Sequence, residues 1–138
     1  MTSLSNLTVS RAAAHIATFL FAVMIVVQLL LAAGILPISI AWGGRQTELT
    51  PALRVASVIA AVLLGAFLYV IRYRAGLWGR MPIPRAIRVL SWIITAFMAF
   101  NTLGNFASLS NTERFFFGPI AFALTIACFI VSVSSPEV

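Results

Sequence analysis

The sequence predicts an all-α integral membrane protein, a bundle of four transmembrane helices with both termini on the cytoplasmic side. Three observations lead there. Hydrophobic residues make up 62% of the chain and charged residues only 9%, against roughly 45–50% and about 25% in soluble domains. The apolar residues gather into four stretches of about the 17–25 residues that cross a hydrocarbon core. All nine basic residues are arginines, placed toward the ends of those stretches. At 138 residues with a mean hydropathy of +1.07, the whole of 1–138 reads as one membrane domain.

The first span is expected over residues 12–36, ending at Pro37. A signal peptide has a similar layout, but its apolar region runs only about 7–15 residues, so an uncleaved helix is expected. The second span, 52–71, opens behind Pro51, where proline suits the first helical turn. The third, 89–109, follows Pro82 and Pro84. The fourth, 116–133, carries Pro119 in its first turn and stops at Ser134, Ser135 and Pro136. Trp42, Tyr69, Tyr73, Trp78, Trp92 and Phe115 to Phe117 lie near span ends, the level at which amphipathic rings settle.

Arginine placement sets the direction. The connection between spans two and three holds Arg72, Arg74, Arg80, Arg85 and Arg88 without an acid, and Arg11 lies on the same side. The other side has Arg45, Arg54 and Arg114 together with Glu48 and Glu113; Glu137, the third acid, sits in the C-terminal tail. Basic residues mark the cytoplasmic face, where the five-arginine loop would meet anionic lipid headgroups. This accounts for the pI near 11.5 without nucleic acid. Cys128 lies in an apolar run and His15 near the start of span one; together they make neither a metal site nor redox chemistry. No cofactor is expected.

The polar residues of span three point to a site. Ser91, Thr95, Asn101, Thr102, Asn105 and Ser108 interrupt an apolar helix, where unsatisfied amides are costly. At 100° per residue, 101, 105 and 108 share a face, overlapped by a stripe of 91, 95, 102 and 105. Gln28, Arg54 and Ser57 fall in the same outer half, with Trp42, Gly43, Gly44, Arg45 and Glu113 in the outer connections. Two readings stay open: interhelical hydrogen bonding, with Gln28, Ser57 or carbonyls near Pro119 as partners, or a ligand- or pore-lining role. Glu113 either completes a capping box begun at Ser110 or Asn111, or pairs with Arg54 or Arg45. Gly43-Gly44 is either a simple turn or an anion-binding concavity. Ala56, Ala60, Ala61 and Gly65 give span two a narrow face, for packing in the bundle or for a homodimer seam.

The segment NTLGNFASLSNTERFFFGPIAFAL resembles a hairpin of small uncharacterised four-span bacterial integral membrane proteins, through Asn101, Gly104, Asn105, Ser108, Glu113 and Pro119. That resemblance implies the bacterial inner (plasma) membrane and no assigned activity. Small multidrug transporters resemble chains with an acid in the first span, which is missing here; fluoride channels resemble chains with a glycine-rich first helix, also missing. No nucleophile–base couple or carboxylate pair suggests catalysis. The expected role is therefore non-enzymatic: a polar pocket in the outer half that holds a small amphiphile, a lipid or a partner subunit. The alternative is a small oligomeric transporter or channel.

Overall fold

Four long helices account for nearly all regular structure in a computed structural model that describes residues 2–134; Ser135, Pro136 and Glu137 lie outside the described residues. The helices are α1 (Thr2–Ala33), α2 (Pro51–Arg74), α3 (Arg85–Phe106) and α4 (Gly118–Val133), the last preceded by a π turn, Glu113–Phe117. All four are long and apolar enough to cross a membrane, α4 together with its π turn.

Their ends differ from the expected ones for local reasons. α1 stops at Ala33, short of Pro37, because Gly34 takes a φ of 79°. Gly34 N–H then donates to Leu31 O and Ile35 N–H to Leu30 O, which satisfies carbonyls that the helix leaves open. The α2 start agrees with the sequence: Pro51 follows Thr50, whose hydroxyl accepts from Leu53 N–H at 3.2 Å. Gly76 ends α2 in the same manner as Gly34 ends α1, with Leu77 N–H donating to Arg72 O. The α3 helix closes at Phe106, leaving residues 107–110 for a turn. Pro119 falls in the first turn of α4, as expected, with helical backbone already running from Asn111 ahead of it. The π turn immediately before it accommodates a residue that has no N–H and crowds the preceding turn.

The helices pair as α1 with α2 and α3 with α4, and α1 also packs along α4; α2 touches α3 only lightly. Small residues let α1 approach closely: Ala13, Ala14 and Ala17 are buried beside Phe21, against Ile71, Leu124 and Val131. A second cluster of Leu31, Ile38, Ala41 and Phe117 closes the other end. In α2, Ala61 is buried, but nothing lies within 4 Å of a Cβ placed at Gly65, so that face is not tightly packed along its length.

Hydroxyls join α3 to α4. Thr95 Oγ1 and Ser132 Oγ lie 3.2 Å apart, as do Thr102 Oγ1 and Thr125 Oγ1. Thr95 donates to Ser91 O and so accepts from Ser132, whereas in the Thr102–Thr125 pair one hydroxyl donates across the seam and the other to the carbonyl one turn back in its own helix. At the end holding the α2–α3 connection, Arg74 is 5% exposed and donates to Ser132 O at 3.0 Å, in the last turn of α4. A cation there also meets the negative end of the helix dipole. Arg74→Met should lower stability by about 2 kcal/mol, the scale of a hydrogen bond to a charged group. Thr95→Val and Thr102→Val should cost about 0.6 kcal/mol each. Denaturant titration in a mild detergent measures all three.

Candidate functional site

The two connections at the opposite end of the bundle are tied together by one carboxylate. After α1, short 3-10 turns at Ile38–Ile40 and Trp42–Gly44 bring the chain across the bundle end. Trp42, Gly43 and Gly44 all have positive φ, at 54°, 83° and 75°. Glycine adopts such backbone freely, whereas tryptophan is strained there. Trp42 is held by its indole N–H, which donates to the buried Ser57 Oγ at 3.2 Å. The Gly43 N–H points at Glu113, donating to Oε1 at 3.3 Å and Oε2 at 3.2 Å. Ser108 Oγ donates to the same Oε2. Leu109 N–H returns a bond to Gly43 O at 3.3 Å, and Ser110 Oγ donates to Ile40 O at 2.8 Å.

This arrangement draws on both readings of Glu113 and departs from each. Ser110 does cap the helix, accepting from Glu113 N–H at 3.2 Å. The Glu113 side chain does not complete the box, because Ser110 N–H donates to Ser108 Oγ at 3.0 Å instead. Nor does Glu113 pair with Arg45 or Arg54, which are both exposed. The glycine pair is therefore more than a turn: it presents a backbone N–H to an anion, and the anion belongs to the chain itself.

Beneath this clasp lies a cavity of about 210 Å³ between the four helices. Its polar lining is Gln28, Asn101, Asn105 and Glu113, with Trp42 at the clasp. Further along the helices the walls turn apolar, with Met24, Leu64, Phe97, Met98 and Leu124 among them. Asn105 is buried and donates to Asn101 O at 2.9 Å within its own helix. The Asn101 amide makes no hydrogen bond among the described residues. Gln28 Oε1 is buried and has no partner. Neither asparagine bonds to Gln28, Ser57 or the Pro119 region as the helix-joining reading expected.

The other candidates are distributed as follows. Thr95 faces α4 rather than the cavity, and Ser57 serves Trp42. Gly44 is pressed against the α3–α4 turn: a Cβ there would lie 2.6 Å from Ser110 N. Of the arginines assigned to headgroups, Arg80, Arg85 and Arg88 are exposed. Arg74 is buried against α4, and Arg72 is half-buried, donating to Thr18 Oγ1 at 2.9 Å with its guanidinium 4.5 Å from the Trp78 ring centre. Those two therefore act within the fold. The apolar cavity walls could not be read from sequence, since Phe97 or Leu124 in an apolar helix looks like any lipid-facing neighbour. No protein-family model matches the chain, and no curated protein or solved structure is significantly similar to it.

The glycines separate conformational strain from crowding. Gly43→Ala meets nothing within 4 Å, so it should cost only the left-handed backbone, about 1–2 kcal/mol. Gly44→Ala should lose a further 1–3 kcal/mol or so through collision with Ser110. Thermal unfolding ranks the two, and amide exchange at Gly43 should quicken in Glu113→Ala.

Proposed function

We propose that this chain is a non-enzymatic integral membrane protein that holds a small amphiphile between its four helices. The observation that carries this reading is Gln28 Oε1, a buried acceptor without a donor in the wall of a cavity that is polar at one end and apolar at the other. A buried polar atom without a partner costs about 1–3 kcal/mol. A molecule with a polar head and an apolar body would recover that cost while filling the rest of the space. At about 210 Å³ the cavity is smaller than the roughly 300–1,000 Å³ of drug-sized sites, which favours a single chain or a small ring.

Binding is favoured over transport by what lies further along. Below the amides the wall is Met98 and Leu124, both buried. Ser91 and Thr95, which would continue a polar track, are bonded to Arg88 O, Ser91 O and Ser132. The arginine distribution supports both termini cytoplasmic, the cavity in the outer half and the exposed Arg80, Arg85 and Arg88 at anionic headgroups, while a bacterial plasma membrane is what the resemblance of the α3–α4 hairpin implies. A homo-oligomer or a larger complex is compatible with the exposed apolar residues of α2, such as Val55, Ile59 and Val62.

Native mass spectrometry from a mild detergent tests the proposal. The protein should carry a small adduct that Gln28→Leu and Asn101→Leu release without lowering the melting temperature. A bare protein, or an adduct indifferent to both substitutions, would refute it. A reporter fused after Val138 should be active only in the cytoplasm.

A further inference from the structure

Resting on that reading of the cavity, we infer that its occupant is a cationic amphiphile: an alkylammonium with its charged end at Glu113 and Gln28 and its chain among Leu64, Phe97, Met98 and Leu124. The lining is unbalanced in charge. Glu113 is 8% exposed and faces the cavity, while none of the nine arginines lines it. The groups that hold its carboxylate, Gly43 N–H and Ser108 Oγ, are neutral donors. They satisfy hydrogen bonds but leave the charge without a counterion in a poorly solvated place.

The hydrogen-bonding inventory points the same way. Glu113 Oε1 accepts only the shared Gly43 N–H, at 3.3 Å, and keeps room for another donor. Gln28 Oε1 accepts none. One primary ammonium, with three donors and no acceptor, can serve both oxygens at once; the Asn101 amide on the same wall offers donors of its own but no positive charge. Trp42 and Phe117 add aromatic rings to the same end of the wall, and ring faces attract cations. An anionic head would meet Glu113 as a like charge with no arginine to pair. A neutral alcohol has one proton to give: at the carboxylate, the stronger acceptor, it leaves Gln28 Oε1 unserved and the charge without a counterion.

The test uses the full chain in a nonionic detergent, with Trp78→Phe and Trp92→Phe so that Trp42 is the one tryptophan reporting. Dodecylammonium, dodecanol and dodecyl sulfate are titrated below their micellar concentrations. Dodecylammonium should bind tighter than dodecanol by about tenfold or more, with dodecyl sulfate weakest. Gln28→Leu and Glu113→Gln should each shrink that preference while leaving dodecanol affinity in place. Gln28→Leu leaves the clasp intact, so it decides the matter even where Glu113→Gln loosens the fold. Equal binding of the three probes, or a preference that survives Gln28→Leu, would overturn the cation inference and leave the amphiphile site standing. A Gln28→Leu variant that loses all three probes alike would also overturn it. Binding of none by the unsubstituted site would overturn both.

Discussion

A carboxylate buried to within 8% of its surface must be solvated largely by the protein, and Glu113 imposes that condition on this fold. Its solvating dipoles come from a residue seventy positions away, Gly43, and from Ser108 on its own turn. Meeting the condition fixes the left-handed backbone at Gly43 and Gly44, and the contact of Gly44 with Ser110 follows from it. The same loop path carries Trp42 to Ser57, which anchors the loop to α2. The α1–α2 and α3–α4 pairs are thus locked at one end by hydrogen bonds to a single side chain. Neutral donors alone meet the electrostatic demand only in part.

At the opposite end an arginine plays the corresponding part. Arg74 joins the end of α2 to the last turn of α4 through Ser132 O, and Arg72 reaches α1 through Thr18. The bundle is therefore polar at both ends and apolar through its middle, with α3 and α4 joined between by paired hydroxyls. Each polar contact links groups from different helices, which sets the register between them as well as their proximity.

The four helices were legible because length and hydropathy alone decide them. Their ends were less so: Gly34, rather than Pro37, stops α1, since a left-handed glycine can complete the cap before a proline is reached. Periodicity correctly separated a polar face on α3 but could not say what that face meets. Thr95 and Thr102 turned out to meet α4, while Asn101 and Asn105 line the cavity. Glu113 and the glycine pair were both visible, yet nothing in a linear pattern couples residues 43 and 113. Five arginines in one loop looked alike; burial by tertiary packing set Arg74 apart, and sequence carries no trace of that.

The slight contact between α2 and α3 has a consequence for how the cavity is filled. Cavity-lining residues on both sides of this seam, Leu63 and Phe97, are 40% and 45% exposed on the flank of the bundle, not at its clasped end. In the proposed membrane setting that flank is bathed in acyl chains. Supply of an occupant would then follow its mole fraction in the surrounding leaflet rather than its dissolved concentration. Even a modest intrinsic affinity would suffice for a molecule that partitions strongly, and two ligands of equal affinity would be told apart by how readily each enters lipid.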